Sequence, residues 1–195
     1  MGLNYTQLNE SVRRFMLLEF DQGGHYISPR LNEAGRARWL PLLRDALQYH
    51  TDLWLERELI RRNCFLAAEM FKSPMGGKTI TRAINKEQSA KALAEGEFNR
   101  FYLRGLCLAA KARDYSHVIV TQGKVLPGIT NLAQKSVGSA LSVEPLLESL
   151  RNNSYKRTDL ALGAPENLTT AAFLSARLPA PGEAYALSRQ SAPTS

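Results

Sequence analysis

The alternation of apolar and polar positions follows a helical period through much of the chain. In "LNESVRRFMLLEF", Leu8, Val12, Phe15 and Phe20 form an approximate stripe. It predicts a first helix that begins near Asn4 or Thr6 and is stopped by Gly23 and Gly24. Asn32 is placed to cap a second helix through "EAGRARWLPLLRDALQYH", with Leu40, Leu43 and Leu47 on its apolar face. Pro41 has no amide hydrogen and crowds the preceding turn, so a kink or a restart near Leu40 is expected. Thr51 is a candidate cap for a third helix, in which Leu55 and Leu59 share a stripe beside Trp54.

The pattern then changes. Residues Cys64 to Phe71 read equally as a continued helix or as a packing segment, and Pro74, Gly76 and Gly77 predict a loop over residues 72–79. "TITRAI" has the β-branched alternation of a short strand. Asn85 can cap the longest helix, Lys86 to Arg113, in which Ala90, Ala94, Phe98, Phe101, Gly105 and Leu108 recur at spacings of three or four. Uninterrupted, it would be about 42 Å long, although Gly96 and Gly105 permit a bend. "HVIVTQGKV" predicts a buried or half-buried strand, and Ser142 a cap for "VEPLLESLRN".

Together these elements predict a predominantly α-helical α+β fold: a single helical core with one or two short β elements and a flexible C-terminal tail. The expected globular domain covers residues 1–162. Residues 163–195, rich in Ala, Pro and Ser, are expected to form a tail able to serve as an assembly arm.

Charge adds a direction to this picture. The 195-residue chain carries a formal charge of +7, and the excess is local. Met1 to Leu55 is balanced, whereas Glu56 to Arg113 holds twelve basic and six acidic side chains. Such a segment attracts phosphate backbones, anionic surfaces or acidic proteins. No apolar run reaches the eighteen or so residues needed to cross a bilayer, so membrane insertion is not expected. Met1 to Asp21 lacks the apolar run of a signal peptide, and a cytoplasmic location is expected. Cys64 and Cys107 sit among apolar neighbours and read as reduced, buried thiols.

Several chemical motifs can be assembled from the residues, each with an ordinary structural alternative. "GGKT", Gly76 to Thr79, matches the end of a phosphate-binding loop, but Lys72 stands where the first glycine belongs and a strand follows where a helix should. The two cysteines and His25, His50 and His117 show no metal-ligand spacing. Cys107 with His117, and Ser28 with His25, lack an acidic orienting partner. Asp114, Gln122 and Lys124 form a sparse version of a metal-dependent nuclease set, with glutamine a poor charged ligand. Nothing in this pattern calls for a cofactor or a metal, and it favours binding over catalysis.

Basic residues offer the remaining site. Around the long helix Arg104 and Lys111 fall about 20° apart and Arg100 about 40° from Arg104, with Lys86 on the same side. They predict a cationic ridge, which Glu97 can partly neutralise. With Lys72, Lys78 and Arg82 from the loop and strand before it, this ridge is the expected contact for a DNA or RNA backbone. The alternative occupant is another protein, or a second copy of the chain, in a larger assembly.

Overall fold

A computed structural model describes residues 2–72, 79–124, 137–152 and 174–184. Among these, the five longer helices are α1 (Glu10–Asp21), α2 (Glu33–Tyr49), α3 (Asp52–Arg61), α4 (Lys86–Lys111) and α5 (Val143–Arg151), and residues 181–184 add one helical turn. Five strands are β1 (Ala68–Lys72), β2 (Thr79–Ala83), β3 (His117–Gln122), β4 (Ala140–Ser142) and β5 (Leu174–Arg177). The fold is mainly helical with two small sheets, as the periodicity predicts.

α4 is the axis of the molecule. Asn85 caps it, its side chain accepting from the Gln88 amide at 2.9 Å, and its 26 residues run unbroken for about 39 Å. Twenty of the 26 are buried, so it is covered on every side by α1, α3, α5 and the sheet formed by β3 and β5. Gly105 is what lets α1 approach. A Cβ there would stand 2.9 Å from the Met16 backbone nitrogen and 3.0 Å from the Val12 carbonyl.

The first three helices differ in detail from the sequence reading. α1 starts at Glu10 because Asn9, rather than Asn4 or Thr6, accepts from the Val12 amide at 3.0 Å. Its buried stripe is Val12, Met16, Glu19 and Phe20, with Leu8 and Phe15 at the edge of the core. α2 passes through Pro41 as one helix. Both Pro41 and Ala37, whose carbonyl Pro41 cannot serve, are exposed, so solvent can take the missing bond. Asn32 caps α2 as expected, accepting from the Gly35 amide at 2.7 Å, and also donates to the Asn63 carbonyl at 2.8 Å. Arg13 holds the other end of α2, donating to the Leu47 and His50 carbonyls, each at 2.7 Å. Thr51 and Ser142 occupy cap positions without a side-chain capping bond.

β1 and β2 pair only with each other, in an antiparallel ribbon running from Ala68↔Ala83 to Lys72↔Thr79. Every residue of β2 is exposed, and Met70 on β1 is 77% exposed. Residues 64–71 are therefore bridge and strand rather than helix; of "GGKT", Gly76 to Lys78 lie outside the described residues and Thr79 opens β2, so a strand follows where a phosphate-binding loop needs a helix. The second sheet has the order β4-β3-β5, antiparallel throughout.

Within residues 163–195, the described stretch 174–184 contributes β5 to the core. Leu174, Ser175 and Ala176 are buried, and Leu178 beyond them is 4% exposed. Asn99 and Tyr102 of α4 donate to the Leu174 and Ala176 carbonyls at 2.9 and 3.2 Å. Short strands built of Ala and Ser carry little hydrophobic signal, which is why composition concealed this one.

Candidate functional site

The middle of α4 holds charge inside the protein. Arg100 is 2% exposed and Arg104 1%, and both are engaged by carboxylates as buried as they are. Arg100 donates to both Glu97 oxygens at 2.8 and 2.6 Å and to the Leu150 carbonyl at 3.2 Å. Arg104 donates to the Glu19 carboxylate at 2.8 Å, to the Glu19 carbonyl at 3.0 Å and to the Gly23 carbonyl at 3.2 Å. Arg151 of α5 also pairs with Glu19. Both α4 guanidiniums lie against the ring of Phe101, at 5.0 and 4.7 Å from its centroid.

Burial raises the Glu19 carboxyl, but hydrogen bonds from Arg151 and Arg104 outweigh it and hold the group below its ordinary range. The expected solvent-facing ridge is therefore not formed. Arg100 and Arg104 tie α4 to α1, to the 23–26 turn and to α5. The other two ridge residues lie at opposite ends of α4: Lys86 is half-buried and donates to Asn63 at 2.8 Å, and Lys111 pairs with Glu144 at 2.6 Å.

A different basic surface surrounds the root of the ribbon. Arg82 is exposed on β2, in register with Glu69, and Glu69 is held by Arg30 at 2.8 Å. Lys86 bonds Asn63, which directly follows Arg61 and Arg62 at the end of α3. Those two arginines share Glu58 at 2.6 and 2.8 Å, leaving one net positive charge in the trio. Their hydrogen bonds hold the Glu58 carboxyl down to about 2. Lys72 ends β1, and Lys78 lies outside the described residues. The sequence reading missed Arg61 and Arg62, although a basic doublet in the last turn of a helix is a legible signal.

A second cluster combines buried carboxylates with a lysine. Asp52, at the start of α3, and Glu95, on α4, are each 1% exposed. Asp52 accepts from the Leu3 amide at 2.8 Å, and Glu95 pairs with Lys124 at 2.5 Å. Burial pushes both carboxyls above their ordinary range, against the Leu3 and Leu53 amides at Asp52 and against Lys124 at Glu95. The Tyr5 hydroxyl is also buried, without a hydrogen-bond partner among the described residues, and its ring rests on Phe98 and Tyr102 at 4.9 and 5.0 Å. Lys124 thus meets Glu95 and not Asp114. β3, about 20 Å of extended chain, separates Asp114 from Lys124, so the sparse nuclease set is not assembled.

The remaining candidate groups are engaged structurally. Burial drives the Cys107 thiol up to about 12 and also raises Cys64, which makes poor nucleophiles of both. The His25 ring donates to the Phe20 carbonyl at 2.8 Å and packs on Phe20 at 4.4 Å between centroids. Among the described residues no group of three or more His, Cys, Asp or Glu is arranged to hold a metal, and no helix is long and apolar enough to cross a membrane. No family model matches the sequence, and no curated protein or solved structure matches it significantly.

Proposed function

We propose that the protein associates, without a chemical step, with the backbone of DNA or RNA through the basic surface at the root of the β1–β2 ribbon. The observation that carries this reading is an exposed two-stranded ribbon flanked by Arg82, Lys86, Arg61 and Arg62. A ribbon of two antiparallel strands fits the width of a duplex major groove, and guanidinium and ammonium groups at its base can meet the phosphates on either side. Contacts of this kind position a polymer without reading its bases. In this reading the protein works in the cytoplasm, where its two thiols stay reduced.

Fluorescence anisotropy with labelled duplex DNA, single-stranded DNA and RNA across a salt series tests the proposal. Three or four phosphate contacts predict a slope of about −3 in log affinity against log salt, and the double variant Arg82→Glu/Lys86→Glu should weaken binding at least about tenfold. A folded protein that binds none of these polymers at low salt ends this reading.

A second reading, assembly with another protein or a second copy, draws on the same ribbon. Met70 and Ile80 are exposed on it, at 77% and 43%, and among the described residues no third strand pairs with its outer edges. Defined oligomers in light scattering, lost when Met70 and Ile80 become Ser, would favour that reading instead.

A further inference from the structure

Pro41 and its neighbours open a groove along the outer face of α2. Ala37, Arg38, Pro41, Arg44, Asp45 and Gln48 line it with Arg62 of the α3 end, and its volume is about 490 Å³. This lies within the range of roughly 300–1,000 Å³ usual for small-molecule sites. Arg38, Pro41 and Asp45 recur at spacings of three and four, which puts them on one face of the helix.

The charges in this groove are unevenly used. Arg44 is occupied by Asp21, whereas Arg62 only shares Glu58 with Arg61, which leaves one positive charge in that trio. Arg38 and Asp45, by contrast, have no hydrogen bond or ion pair among the described residues. Seven residues apart on α2, they stand about 10 Å apart along the helix axis, too far to satisfy each other. Asn63, next to Arg62, accepts from the Asn32 side chain at the start of α2 at 2.8 Å, which sets Arg62 toward the Arg38 end of the groove. One end of the groove therefore offers two guanidiniums, and the other a carboxylate beside the Gln48 amide. Between them, Pro41 leaves the Ala37 carbonyl without its helical donor.

We propose that this groove binds a small phosphorylated molecule, its phosphate held by Arg38 and Arg62 and a hydrogen-bond donor at its far end held by Asp45. Guanidinium forks match the oxygens of a phosphate, while an acceptor-only carboxylate demands a donor. A mononucleotide has this layout, with phosphate and base at opposite ends. The same phosphate chemistry is also present at the phosphorylated end of a nucleic-acid strand. The groove shares Arg62 with the basic surface proposed above, but Arg82 and Lys86 are not among its lining residues, and the proposal does not rest on that function.

Calorimetric or chemical-shift titration of the full chain with inorganic phosphate, adenosine monophosphate and adenosine tests this. Phosphate and the monophosphate should bind in the submillimolar to millimolar range, and adenosine at least about tenfold more weakly, the loss of one charged pair. Arg38→Ala should lower affinity for both phosphate ligands by about tenfold, whereas Asp45→Asn should weaken only the monophosphate. The Arg82→Glu/Lys86→Glu variant should leave all three titrations unchanged, so failure here and failure of polymer binding are separable.

A terminally phosphorylated oligonucleotide that outcompetes its hydroxyl-ended form, with the preference lost in Arg38→Ala, would identify a strand end as the source of the phosphate. Its absence alongside monophosphate binding would identify a free metabolite. Adenosine binding as well as its monophosphate, no binding of either phosphate ligand at millimolar concentration, or unchanged affinity in both Arg38→Ala and Arg62→Ala would overturn the proposal.

Discussion

Arg104 and Glu19, 85 residues apart in the chain, form an ion pair from which water is excluded on both sides. The pair does more than offset two charges. Arg104 also serves the Glu19 and Gly23 carbonyls, so one side chain on α4 satisfies the end of α1 and the turn that follows it. Removing one partner leaves a buried charge, which typically costs about 3–5 kcal/mol. Arg104→Met should therefore lower the urea midpoint by the equivalent of about 3 kcal/mol, while any folded fraction keeps full affinity for nucleic acid. Normal stability with reduced binding would return Arg104 to the surface role that its helical position suggests.

Stability should respond to pH with two opposed signs. The Glu19 carboxyl is depressed in the fold, so its contribution is complete above its ordinary range, near 4.5, and is lost as pH falls through the lower folded value. Asp52 and Glu95 are raised, so the fold binds their protons more tightly than the open chain does. Their contribution is present below their ordinary ranges and is lost as pH rises through the raised folded values. Urea unfolding at a series of pH values should show a gain on acidification from neutrality, then a decline at stronger acid. Asp52→Asn should flatten the first limb and leave the second, and an unchanged first limb would clear Asp52 of this role.

At Gly105 the local and tertiary preferences conflict. Alanine is the better helix former by about 1 kcal/mol, but its Cβ would press on the Met16 and Val12 backbone. Moving a helix backbone to relieve such overlap costs about 1–3 kcal/mol. Gly105→Ala should therefore lower the melting temperature measured by circular dichroism. A rise would mean that α1 can withdraw from α4 at little cost.

Truncation separates strand from tail. Ending the chain after residue 184 keeps β5 and should preserve cooperative unfolding. Ending it after residue 173 removes Leu174, Ala176 and Leu178 from the core and strips Asn99 and Tyr102 of their acceptors. Buried donors left unpaired cost about 1–3 kcal/mol each, so the shorter chain should lose its sharp thermal transition. Equal transitions in the two chains would show β5 to be dispensable.

Much of the architecture was legible in the sequence because it rests on local pattern. The recurrence through Phe98 and Phe101 marks α4, Asn32 and Asn85 mark helix starts, and "HVIVTQ" marks β3. The site was not legible in the same way. Glu97 and Arg100 are one turn apart whether they face water or the interior, and only Glu19, Arg151 and Leu150, brought in by tertiary contacts, determine which. Lys124 invited comparison with Asp114 nearby in sequence, yet its partner Glu95 lies on another element, 29 residues away. Pro41 suggested a break because its cost depends on what surrounds the helix, which periodicity does not report.

β3 has β4 on one side and β5 on the other, and β5 follows β3 by more than fifty residues. During synthesis, then, the helices and the first sheet edge emerge while Val118 and Val120 still lack one neighbour and α4 still lacks the acceptors for Asn99 and Tyr102. Completion of the core waits until Leu178 has left the ribosome, so a nascent chain stalled before that point presents an open strand edge to whatever binds such edges in the cell.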